Sequence, residues 1–131
     1  MGYRSDVTIF IYGPADAMAG FIAAQRIRGG DSGLAYSRNI EFKEWERSDT
    51  PDNKTKMLGI YFEAIGIKWY DDYSEVIRWN STMHQAGDYG NGVCCEFVRI
   101  GEDYTDTEFA VWGDECLYYL SINREVFLDL A

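Results

Sequence analysis

The stretch "DVTIFIYG" at residues 6–13 decides the fold. It is β-branched and aromatic, and it is apolar at odd and even positions alike. A strand that is apolar on both faces belongs in the centre of a sheet. Gly13-Pro14 ends the run, and a proline suits the first turn of a helix. From Pro14 to Arg28, residues Ala17, Met18, Phe21, Ile22 and Ala24 fall on one side at helical spacing, and Gly29-Gly30 supplies the stop. A loop over 31–37 follows.

Further along, "NIEFKEWE" (39–46) alternates as a strand does, and "SDTPDNKT" (48–55) holds the residues of an exposed hairpin loop. "KMLGIYFEAIGIKWY" (56–70) reads as a long strand, bulged or bent at Gly59 or Gly66. Asp71 or Asp72 is placed to cap a helix over 73–86. In that helix Tyr73, Val76, Ile77 and Met83 face the core, while Ser74, Arg78, Ser81, Thr82 and Gln85 face away; Trp79 lies on the flank. "GDYGNG" (87–92) ends it and "VCCEFVRI" (93–100) is another strand. "EFAVW" (108–112) and "CLYYLSINREVF" (116–127) form a hairpin turning at Gly113-Asp114.

The order is β-α-β-β-α-β followed by a hairpin. It predicts a single α+β domain over 1–131, with a ferredoxin-like βαββαβ unit (1–104) and a hairpin extension (105–131). Both helices then lie on one face of an antiparallel sheet. At 131 residues, with 47% hydrophobic and 16% aromatic content, the chain is long enough for one modest core.

The net charge of −10 is unevenly placed. Residues 1–68 hold nine basic and nine acidic side chains, whereas 69–131 hold three basic (Arg78, Arg99, Arg124) and thirteen acidic ones. The acidic half repels phosphates, so no direct nucleic-acid binding is expected. It favours a partner with a basic surface, or serves simply as a solubilising acidic face. The opening "MGYRSDVTIFIYG" lacks the pattern of a signal peptide, and no run approaches the length of a membrane helix. The expectation is a soluble cytoplasmic protein with no membrane contact. Three cysteines, two of them adjacent (Cys94, Cys95) with side chains on opposite faces of a strand, are expected to be reduced and mostly buried.

No motif names a reaction, and no catalytic residue, metal or cofactor is assigned. "GDSG" at 30–33 matches the tetrapeptide around a trypsin-like nucleophile, but the single histidine, His84, follows the serine instead of preceding it. A helix stop followed by a turn explains those residues. Asn80 and His84 stand one helical turn apart toward the apolar face and are expected to be buried and hydrogen-bonded. The loop "GEDYTDTE" (101–108) clusters Glu102, Asp103, Asp106 and Glu108 without the spacing or glycine of an EF-hand.

Three blocks, "MGYRSDV" at the start, "KWYDDY" at 68–73 and "EFVRIGEDY" at 96–104, together resemble a group of small uncharacterised proteins encoded by tailed bacteriophages. The resemblance implies a phage accessory protein acting in the host cytoplasm, with no activity common to the group. By analogy, small acidic phage proteins are often inhibitors of host or defence machinery, including the anti-CRISPR type.

In a ferredoxin-like sheet, with strand order 4-1-3-2, the three blocks converge. Arg4 to Asp6 lies beside Lys68 to Tyr70 on one side and Arg99 to Glu102 on the other. As a fastening network, Arg4, Lys68 and Arg99 pair with Asp6, Asp71, Glu102 or Asp103. As a binding site, Tyr3, Trp69 and Tyr70 with the neighbouring charges, Asp106 included, have the composition of an interface hot spot. The leading functional expectation is a non-enzymatic protein that binds and inhibits or modulates a host or defence protein. The alternatives are a signalling-nucleotide binder, using the aromatics for base stacking and Arg4 or Arg99 for phosphate, and an oligomeric accessory protein. The last would be a homodimer paired through Trp112, Tyr118, Tyr119 and Phe127.

Overall fold

A computed structural model describes residues 2–36, 39–103, 105–114, 116–122, 126–128 and 130, without the side chains of 35, 36, 122, 126 and 127. It is an α+β fold built on a five-stranded antiparallel sheet in the order β2-β3-β1-β4-β5. Its elements are β1 (Ser5–Pro14), α1 (Ala15–Arg28), α2 (Gly33–Tyr36), β2 (Ile40–Thr50), β3 (Asn53–Ile67), α3 (Ser74–Tyr89), β4 (Cys94–Gly101) and β5 (Thr107–Trp112). A separate two-stranded ladder joins β6 (Leu120–Ile122) to β7 (Val126–Leu128). The first four strands have the ferredoxin-like order, and β5 adds an edge beyond β4.

β1 is central, and its pleat feeds two cores. Val7, Ile9 and Ile11 join Phe21, Phe62, Trp79 and Phe97 under the helices, while Phe10 and Tyr12 join Met57, Val98, Ile100 and Leu120 on the other face. Trp45, Tyr119, Leu128 and Leu130 pack against that second cluster. The chain after β5 therefore covers the sheet face that the helices leave bare. This explains why β1 carries no polar face: it is buried from both sides.

Gly66 is the bulge. Ser5 pairs with Ile67 but Val7 with Ala64, so β3 carries one extra residue there, and Gly66 sits at φ +65°. Gly59 stays in regular register opposite Tyr12. The exposed hairpin loop shrinks to Pro51-Asp52, because β2 runs to Thr50 and β3 begins at Asn53.

Several local expectations are corrected. The predicted hairpin between 108–112 and 116–127 does not form. β5 instead pairs with β4 from Cys95↔Trp112 to Ile100↔Thr107, and the hairpin lies later, between β6 and β7. A strand next to an unpaired edge gains more by completing that ladder than by folding back on itself. The stripe of α3 is rotated: Val76, Trp79, Met83 and Ala86 are buried, whereas Tyr73 and Ile77 are exposed. Thr82 is also buried, because its hydroxyl accepts from Gly33 N–H (3.0 Å) at the start of α2. Neither Asp71 nor Asp72 caps α3; the N-cap is Tyr73, with no side-chain cap. On α1, Gln25 is buried in place of Ala24, and it accepts from Ser32 Oγ at 2.7 Å. Residues 31–37, expected as loop, include the short helix α2.

The adjacent cysteines do face opposite ways, Cys95 into the helical core and Cys94 into the other. The thiols are not all free, however. Cys94 forms a disulfide with Cys116, their Cα atoms 5.5 Å apart, and Cys95 alone is free and buried. No helix among the described residues is long and apolar enough to cross a membrane.

Candidate functional site

The three sequence blocks meet at one end of the sheet. Ser5 is registered against Ile67 on one side and Gly101 on the other, which brings residues 3–6, 66–71 and 99–106 together. The fastening runs through different pairs from those expected. Arg4 gives its guanidinium to the Gly66 carbonyl (2.8 Å), and its backbone N–H donates to Glu102 (2.8 Å). Asp6 accepts from Gly66 N–H (2.8 Å), holding the bulge in place. Asp103 accepts from Thr105 N–H within its own turn (3.1 Å). Lys68 lays its aliphatic chain against Gly2, and it makes no ion pair among the described residues.

Arg99 is the hub. Its guanidinium is bidentate on Asp106 (2.7 and 3.1 Å), donates to Glu108 (2.8 Å) and reaches Ser5 Oγ (3.1 Å). Tyr3 closes the ring: its hydroxyl donates to Asp106 (2.7 Å) and accepts from Asp103 N–H (2.9 Å), while its own N–H donates to the Tyr70 hydroxyl (2.6 Å). A side chain on Gly101 would meet the Asp106 carboxylate and the Tyr3 hydroxyl, so it would push both out of their places in this network. The Arg99 bond, then the Tyr3 bond, hold the Asp106 carboxyl below the usual carboxylate range. Arg99 is held charged mainly by Asp106, and the same carboxylate pushes the Tyr3 phenol up.

Beside this network lies a cleft of about 480 Å³, within the range of ligand pockets. Three rings form one wall: Trp69 lies 6.2 Å from Phe97, and Phe97 lies 6.4 Å from Trp112. Asn80 and Met83 of α3 line it from the helical side, and Asp71, Asp106 and Glu108 bring three carboxylates against the single guanidinium of Arg99. Asp71 is exposed and has no ion-pair or hydrogen-bond partner among the described residues. Of the expected site residues, Tyr3, Trp69, Tyr70, Asp71, Arg99 and Asp106 line the cleft. Arg4, Asp6, Lys68, Glu102 and Asp103 do not; they serve the strand ends.

Phe97, Trp112, Asn80 and Glu108 belong to the cleft without having been assigned to it from sequence. Phe97 and Arg99 share a face of β4 by simple alternation, so that pairing was available from the pleat. Trp112 was assigned to a hairpin, and it reaches the cleft only because β5 joins the main sheet. His84 is not buried: it is exposed, its ring 5.4 Å from that of Trp112. Tyr119 is packed into the second core and donates from its backbone, Tyr118 is exposed, and the Phe127 side chain lies outside the described residues. Tyr104, Glu115 and Arg124 lie outside them too.

A second buried constellation lies on the opposite face. Glu96, with no exposed surface, accepts from the Tyr12 hydroxyl and from the backbone N–H groups of Tyr119 (3.1 Å) and Leu120 (2.9 Å). The Tyr12 oxygen in turn accepts from Leu117 N–H at 2.7 Å. Burial, then the bond to Glu96, push the Tyr12 phenol far above its ordinary range.

The geometry defines a ferredoxin-like α+β domain with an extra edge strand and one aromatic, carboxylate-rimmed cleft at the sheet end. No protein-family model, curated protein or solved structure matches the chain.

Proposed function

We propose that this chain is a phage-encoded, non-enzymatic protein that binds a host or defence protein and inhibits or modulates it. The sheet-end cleft is its contact surface, and a basic face of the partner is what it meets. The observation that carries the reading is the cleft itself: a wall of three rings with a carboxylate excess, set in the half of the chain that holds the whole net charge. Rings supply the apolar centre of an interface, and charge steers and selects the partner. An anionic ligand such as a nucleotide is disfavoured, because Arg99 already donates to Asp106, Glu108 and Ser5.

The test is affinity purification of the host partner with wild type, a cleft variant (Asp71→Lys with Glu108→Lys) and a distant variant (Glu46→Lys with Asp52→Lys). Circular dichroism confirms that all three fold. The expected result is a stoichiometric partner retained by wild type and the distant variant and released by the cleft variant. Absence of any stoichiometric partner, or capture indifferent to the cleft charges, overturns the reading.

A further inference from the structure

We propose that the cleft is a guanidinium receptor, taking one arginine side chain of the partner. The inference rests on the protein-binding reading above and names the group that the cleft receives. Trp69, Phe97 and Trp112 follow one another at 6.2 and 6.4 Å, and all three line the cleft, Phe97 as a buried ring between two half-buried ones. Such a wall attracts a cation through the ring quadrupoles, and tryptophan does so most strongly. Asp71 and Glu108 add negative charge where a bound cation needs a counter-charge. Asp71 has no partner among the described residues to give up, and Glu108 shares only one contact with Arg99 while most of its side chain remains exposed.

Arginine fits this space better than lysine for three reasons. Its guanidinium is planar and stacks on aromatic faces; it carries several donors in a fixed fork; and it is more weakly hydrated than an ammonium. Asn80 lines the same cleft and offers an amide oxygen to a donor that a carboxylate does not reach. An uncharged apolar side chain would leave Asp71 and Glu108 beside it without compensation, at the cost of their desolvation. Arg99 lines this cleft too, and its own charge is already answered by Asp106 and Glu108.

The chain contains its own reporters, since the four tryptophans divide evenly. Trp69 and Trp112 line the cleft, whereas Trp45 sits on the opposite face and Trp79 is fully buried. The intact protein is titrated with N-acetyl-arginine amide while the four indole N–H resonances are followed. Saturable shifts at Trp69 and Trp112, with Trp45 unmoved, are expected. N-acetyl-citrulline amide, which keeps the shape and loses the charge, should bind at least about tenfold more weakly. Asp71→Asn should weaken arginine binding and leave the other resonances in place, so that loss of affinity is separated from loss of fold. Equal binding of citrulline, shifts confined to Trp45, or tighter binding of adenosine than of the arginine amide overturns the inference. If arginine fails to bind while the cleft variant still releases the captured partner, the guanidinium assignment falls and the protein-binding function stands. If arginine binds but partner capture ignores the cleft, the cleft takes a guanidinium that is not the captured partner's, and the inference falls with the contact-surface reading.

Discussion

The two faces of the same sheet are finished in opposite ways. On the helical face α1 and α3 cover the centre but stop short of one end, and the gap is the cleft, with Asp71 and Glu108 exposed to solvent. On the other face the C-terminal segment closes over Phe10 and Tyr12, and the carboxylate beneath it, Glu96, is wholly enclosed and satisfied by fixed donors. A carboxylate saturated by backbone N–H groups builds a closure. Carboxylates left facing water beside aromatic rings build a place for something else to bind. Position in the pleat alone separates the two, since Glu96 and Phe97 are neighbours in sequence.

The comparison breaks most sharply at Glu96. Glu96→Ala leaves the Tyr12 hydroxyl and two backbone donors unpaired in a buried site, and it should destabilise by about 3–5 kcal/mol in urea unfolding. Glu96→Gln keeps an acceptor and should cost about 1–2 kcal/mol. A loss under about 1 kcal/mol for the alanine variant would show that the carboxylate does not hold the C-terminal segment. Arg99→Ala, on the cleft side, should cost less, about 1–2 kcal/mol, because Asp106 and Glu108 are free to take up water when their partner goes. A larger loss than that of Glu96→Ala would reverse the assignment of closure and open site.

Titration probes Tyr12 and Asp106 at opposite ends of the pH scale. Tyr12 has a raised phenol pKa, and Tyr61, also on that face, is pushed up to about 12, by burial first and then by Glu63. The unfolded chain loses these protons from about pH 10, where the folded protein keeps them, so stability falls as pH rises above that point. Tyr12→Phe should flatten the alkaline fall in a denaturation series. Asp106 has a lowered pKa, so its contribution is present above the ordinary carboxylate range and is lost as pH falls through the folded value. Arg99→Ala should therefore flatten the acid limb. At the bottom of the scale, Glu46→Ala removes only an exposed contact to Lys54 at 4.0 Å. It should shift the unfolding midpoint by less than about 0.5 kcal/mol equivalent.

Much of this was legible from residue pattern. The apolar run 6–13 placed β1 in the centre, the turn residues separated the strands, and the βαββαβ order led to the convergence of Arg4 to Asp6, Lys68 to Tyr70 and Arg99 to Glu102. Gly66 was one of two candidates for the bulge, and its positive φ decided between them. The errors share a cause. Ile77 and Trp79 lie two residues apart on a helix whose stripe can be rotated by a fraction of a turn without breaking its period. Thr82, Gln25 and Glu96 are polar and buried because partners distant in sequence satisfy them, and no local pattern announces a distant donor. The aspartates at 71 and 72 are good capping residues left without a helix end to cap.

By itself the sequence determined the elements that depend on periodicity and local backbone preference: the strands, the two long helices, the bulge glycine and the acidic weighting of the second half. Only the tertiary structure decided what those elements cover. Whether β5 pairs with β4 or folds back, and which face the C-terminal segment closes, depend on competition among unsatisfied edges and bare apolar surfaces. That competition assembled Trp69, Phe97 and Trp112 into one wall from three separate segments, and it left Asp71 and Glu108 beside them in water.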